Sequence, residues 1–115
     1  MLIKLTTEKF KELIFDYTKG TEWKYQGIKP AIIDFYTDWC GPCEMMKPGF
    51  IELSEEYDDK IDFYEANIDD NVMLAKELQI TNVPSILYIP MNGLPEMAVG
   101  ALPKKDIEEA LKRIL

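Results

Sequence analysis

The chain has 115 residues, 47% of them hydrophobic and 30% charged, which suits one domain with a core of its own. Its formal net charge of −8 argues against phosphate backbones and anionic lipid as partners, so neither nucleic acid nor membrane is expected. No stretch approaches the roughly 20 apolar residues of a membrane span, and Met1-Leu2-Ile3-Lys4-Leu5 is too short for a signal peptide. The chain therefore reads as cytoplasmic, unless an export signal has been removed.

Leu2 to Leu5 suits a short edge strand. Phe10, Leu13, Ile14 and Tyr17 then repeat at helical spacing, with Thr6 or Thr7 as cap. From Thr18 to Pro30 the chain turns polar around Gly20, Gly27 and Pro30, a connection longer than the usual few residues. Trp23 and Tyr25 within it are expected to pin the loop to the body, although two aromatics could also mark a partner surface.

Ala31-Ile32-Ile33-Asp34-Phe35-Tyr36 is apolar enough for a buried central strand. Trp39-Cys40-Gly41-Pro42-Cys43 follows and holds both cysteines of the chain. Gly41-Pro42 suits a turn into a helix, because proline is tolerated at the first helical position. Cys40 then stands at a helix N-terminus, where unpaired N–H groups and the helix dipole favour a thiolate. That makes Cys40 the nucleophile, and Cys43, one turn on, the thiol that attacks a mixed disulfide on Cys40. A zinc half-site and two inert cysteines are the alternatives. Zinc usually needs four ligands, and the chain has two cysteines and no histidine, so a metal site would need a second chain.

Met46, Phe50, Leu53 and Tyr57 continue a helical apolar stripe that Pro48-Gly49 interrupts. Ile61 to Ile68 reads as a strand, Val72 to Leu78 as a short helix, and Ser85 to Ile89 as a strand. Asn92-Gly93 predicts a two-residue hairpin returning through Leu94 to Val99 as an edge strand, with a bulge at Gly100. A last helix from about Pro103 buries Ile107, Leu111 and Ile114. The order βαβαβαββα, with right-handed crossovers, predicts an α/β fold whose central mixed sheet carries helices on both faces, as a single domain over residues 1–115.

The segment Asp34-Phe35-Tyr36-Thr37-Asp38-Trp39-Cys40-Gly41-Pro42-Cys43 resembles the active-site segment of thioredoxin. The resemblance extends over nearly the whole chain, through Pro48, Asn67-Ile68-Asp69, Val83-Pro84, Asn92-Gly93 and Val99-Gly100-Ala101. It implies the thioredoxin fold, with the Cys40–Cys43 redox disulfide and the intervening Gly41 and Pro42 at its centre. Asp34 sits on a strand where an unpaired carboxylate is costly and tends to stay protonated. A solvated strand end is the alternative, and apolar neighbours on both sides argue against it. The resemblance implies that Asp34 accepts the Cys43 proton, through water. It also implies a cis peptide at Val83-Pro84 where a trans proline at a strand start would be the bland reading, and an apolar substrate rim of Trp39, Val83, Val99, Gly100 and Ala101 around Cys40. Any of the rim residues could be ordinary core.

The expected function is a protein-disulfide reductase working by dithiol/disulfide exchange, with no bound cofactor and no metal. Its implied partners are disulfide-containing proteins and a thioredoxin-reductase-like flavoprotein drawing on NADPH, and the protein itself is expected to be a monomer. A non-catalytic partner-binding module and an exported oxidase or isomerase are the competing readings. Two departures stand out: Glu44 and Glu65 occupy places where thioredoxins often carry lysine, and Glu65 is expected on the same inner face as Asp34.

Overall fold

The computed structural model describes residues 1–115. Its elements are β1 (Leu2–Lys4), α1 (Thr7–Leu13), β2 (Ala31–Tyr36), α2 (Gly41–Glu56), β3 (Asp62–Asn67), α3 (Val72–Glu77), β4 (Ser85–Ile89), β5 (Glu96–Val99) and α4 (Lys104–Ile114). The five strands form one mixed sheet in the order β1-β3-β2-β4-β5, parallel from β1 to β2 and antiparallel across β4 and β5. The β2 strand lies in the middle and is buried from Ala31 through Phe35, Asp34 included, as its largely apolar run predicted.

Alternation along the strands sorts the core into two layers. Ala31, Ile33 and Phe35 of β2 join Tyr64, Ala66, Leu87 and Ile89, and meet Phe10 and Ile14 at α1 and Leu74 of α3. Ile32, Phe63, Ile86 and Tyr88 point the other way, onto Met46, Phe50 and Leu53 of α2 and Ile107, Ala110 and Leu111 of α4. Asp34, two residues after Ile32, shares this second face, and so does Glu65, two after Phe63. The register therefore aims both carboxylates at α2.

Several elements differ from their sequence reading. Thr6, of the two candidates, caps α1, its hydroxyl accepting from the Lys9 N–H at 3.1 Å. That helix ends at Leu13, which lies at its exposed edge instead of in the core, while Tyr17 reaches the same core from beyond the helix. The helix α2 runs through Pro48 unbroken, so the proline removes only the hydrogen bond its own N–H would have made. The return strand starts at Glu96, not Leu94, and six residues join it to β4 in place of a two-residue hairpin. Pro90 and Pro95 explain this, because neither has an N–H to extend the ladder toward Asn92-Gly93. Gly93 still takes a positive φ of 95° in that loop. Gly100 is no ladder bulge: it follows β5 at φ 102°, and its N–H donates to the Pro84 carbonyl at 2.8 Å.

The long connection before β2 has no regular structure and is pinned by its aromatics. Trp23 and Tyr25 pack against the first core layer, Trp23 at 5.1 Å from the Phe15 ring. The Tyr25 hydroxyl donates to the Lys29 carbonyl at 2.6 Å.

Phe50 joins α2 to the sheet: it is fully buried and meets Phe63 edge-on at 5.4 Å. Phe50→Ala is expected to lower unfolding free energy by about 3–5 kcal/mol, read from urea denaturation. A loss under about 1 kcal/mol would mean that the layer repacks around the gap.

Candidate active site

Cys40 ends the loop after β2 and is the N-cap of α2, with Gly41 and Pro42 as the first two helical residues. Proline thus sits one position later than predicted, still within the first turn, where its missing N–H leaves no helical bond unmade. The Cys40 sulfur accepts the Cys43 N–H at 3.1 Å, a contact that a serine or aspartate oxygen makes at ordinary caps. Cys40 and Cys43 are joined in a disulfide, with Cα atoms 5.2 Å apart. Both are largely covered, Cys40 at 8% exposure and Cys43 at 4%.

Strand pairing brings the other predicted residues to the same end of the sheet. Phe35 of β2 pairs with Ser85, and Ser85 pairs with Val99, so the Val83-Pro84 loop and the chain after β5 flank the end of β2 from which Cys40 departs. The Val83-Pro84 peptide is cis. Neither the N–H nor the carbonyl of Val83 makes a backbone hydrogen bond. Trp39 is 95% exposed and Val99 63%; Ala101 is exposed, and Val83 and Gly100 are half-buried. None of these five is core. The loop bearing Asp38 and Trp39 is held from β3, where the Asn67 amide donates to Asp38 Oδ1 at 3.1 Å.

Behind Cys43 lies a cavity of about 120 Å³, lined by Asp34, Glu65, Lys47, Glu44, Tyr36, Thr37 and Asp38 as well as Cys43 itself. Asp34 is buried at 2% exposure, which removes the solvated-strand-end reading. Its Oδ1 has no hydrogen-bond partner in the protein. Burial pushes its pKa up to about 7; the neighbouring Glu65 adds to the rise and Lys47 opposes it. Asp34 and Glu65 are register partners, as expected, and Glu65 is itself buried. Glu44 is exposed but borders the cavity.

Lys47 was not singled out from the sequence. Its Nζ lies 3.3 Å from Glu65 Oε2 and 5.4 Å from the Tyr36 ring centroid. The signal was its spacing: four residues after Cys43 on a helix, it has to share that residue's face.

A cysteine pair closed across the first turn of a helix, at the end of a central strand and above a buried carboxylate, defines a thiol–disulfide oxidoreductase of thioredoxin fold. The thioredoxin family model matches residues 2–113, and the chain belongs to that family. It is 42% identical to a thioredoxin of Borreliella burgdorferi, over 97% of this chain and 96% of that one. Against the chloroplastic M-type thioredoxin of Spinacia oleracea it is 33% identical over 82% of its own length and 52% of the relative's. Among solved structures, chloroplastic thioredoxin z superposes with a TM-score of 0.82 at 25% identity, covering 98% of this chain and 93% of that one. Malassezia sympodialis thioredoxin superposes at 0.79 with 26% identity, covering 99% and 90%. The protein is a protein-disulfide reductase acting by reversible dithiol/disulfide exchange through Cys40 and Cys43. No group of three or more His, Cys, Asp and Glu side chains is placed to hold a metal ion, and no helix is long and apolar enough to cross a membrane.

The buried acid makes stability depend on pH. An unfolded Asp34 ionises near the ordinary 3.8, the folded one near 7, so between these values the unfolded state releases a proton that the folded state keeps. Stability from this group is therefore full below the unfolded value of 3.8, falls as pH rises through that value, and levels off above about 7. Asp34→Asn should remove a decline of about 2–3 kcal/mol, measured as the difference between variant and parent in urea unfolding at about pH 5 and about pH 8. Equal pH dependence in the two proteins would contradict the assignment.

Proposed function

We propose a division of labour within the exchange reaction, carried by one observation: only Cys40 stands at the N-terminus of α2, while Cys43 faces the carboxylate cavity. In the reduced protein the Cys40 thiolate attacks one sulfur of a substrate disulfide. The other substrate sulfur leaves with the bonding pair and takes a proton from solvent. Cys43 then gives its S–H proton to the Asp34 carboxylate across the cavity, and its thiolate attacks the Cys40 sulfur. The Cys40–substrate bond breaks, the second substrate thiolate is released, and the Cys40–Cys43 disulfide remains. Two electrons have passed to the substrate.

The substrate rests on the rim of Trp39, Val83, Val99, Gly100 and Ala101, with Pro84 beneath it. The unpaired backbone groups of Val83 support its binding an extended chain by strand-like pairing, which reads shape more than side chains. Gly41 and Pro42 start the helix and keep the two cysteines one turn apart. A flavoprotein reductase supplied by NADPH restores the dithiol, and the protein works as a monomer in the cytoplasm. No cofactor is bound in this scheme.

Cys40→Ser should abolish reduction of a model protein disulfide, whereas Cys43→Ser should retain substrate as a mixed disulfide, seen as a thiol-sensitive mass increase. Trapping by Cys40→Ser instead would reverse the roles. Glu44 places a negative charge in the first turn of α2, favourable to the helix dipole but unfavourable to a thiolate nearby. Glu44→Lys is therefore expected to move the pH profile of Cys40 alkylation in the reduced protein to lower pH. An unchanged profile would show that solvent screens the charge completely.

A further inference from the structure

Nothing in the exchange reaction requires a second buried carboxylate, yet the structure holds one. Glu65 lies beside Asp34 in register, at 7% exposure, in the same cavity. The negative charge of Glu65 there disfavours a second one on Asp34. The cavity contains one cation, Lys47, and its Nζ lies on the Glu65 side, 3.3 Å from Oε2. Lys47 is held there also by the Tyr36 ring, while its side chain remains 44% exposed at the cavity mouth. One cation against two acids is neutral when the pair retains one proton. The ion pair with Glu65 favours leaving that proton on Asp34.

We propose that Lys47 and Glu65 are positioning residues for the proton transfer from Cys43: their ion pair keeps the negative charge of the cavity on Glu65 and so decides when Asp34 is free to accept a proton. The inference rests on Asp34 being the acceptor, as assigned above. Glu65 holds a proton on Asp34 by repulsion, and Lys47 counteracts it by attraction, so the two residues act with opposite sign. The remaining groups that face the pair are Tyr36 and Asp38 beside β2 and Cys43 and Glu44 on α2; at the Glu65 end stand Lys4 of β1 and Asp70 after β3. On the other side of Asp34, β4 presents only Ile86 in register. Among all of these, Lys47 is the only group within ion-pair distance of either carboxylate.

The test is a carboxyl NMR titration of Asp34 in the reduced protein, paired with the pH profile of the second phase of single-turnover disulfide reduction. Glu65→Gln is expected to move both midpoints to lower pH, and Lys47→Met to higher pH, each by roughly one unit. The double variant should fall between the two. A general loosening of the site would shift both single variants the same way, and that result, or midpoints equal to the parent's, overturns the proposal. Lys47 is partly exposed, so Lys47→Met keeps the test alive if Glu65→Gln fails to fold. Asp34→Asn separates the two assignments. If the kinetic inflection survives in that variant, Asp34 is not the acceptor, and the NMR midpoints still decide whether Lys47 and Glu65 control its charge.

Discussion

The contact between the Cys40 sulfur and the Cys43 N–H is where the fold and the chemistry meet. The first turn of any helix has N–H groups with no partner of its own, and a sulfur placed there meets both a donor and the positive end of the dipole. Such a sulfur can be reached from outside only if the chain enters the helix directly from a strand end at the surface. Here β2 provides that entry. Its flanking strands bury it along its length, so its end is rigid, and the three-residue passage Thr37–Trp39 delivers Cys40 to the cap. The two core layers serve this arrangement: one backs the sheet with α1 and α3, and the other clamps α2 through Phe50 and Leu53.

The same packing buries a carboxylate against a small cavity. Asp34 occupies a position that alternation assigns to the core layer under α2, and an aliphatic residue there would raise stability near neutral pH. Retaining the acid makes sense in chemical terms under the proposed mechanism, because a carboxyl group raised to about 7 matches a thiol proton far better than an ordinary aspartate does.

Around the sulfurs the surface is open and apolar in place of pocket-like. Trp39 and Val99 are largely exposed, and the nearest cavity lies behind Cys43, away from an incoming chain. A surface of this kind suits a reductase of proteins, where the substrate disulfide arrives on a large and variable partner.

Much of this was legible in the sequence because the signals were local. A largely apolar run identified the central strand, Cys-Gly-Pro-Cys after it located the helix start, and the 3.6-residue stripe of Met46, Phe50 and Leu53 oriented α2. The facing of Asp34 and Glu65 was also accessible, since strand register converts directly into shared faces. Other features depended on distance in space. Where β5 begins was decided by the prolines at both ends of its connection acting against the ladder, and Leu13 lost its place in the core because α1 ends at that residue. Lys47 shows the division most clearly. Its spacing from Cys43 assigned it a helix face, but that face could have met solvent, and only the packing of α2 across β3 brought its ammonium group to a buried glutamate 18 residues further along the chain. Sequence alone determines which side a residue takes on its own element; which charge awaits it there is set by how the elements pack.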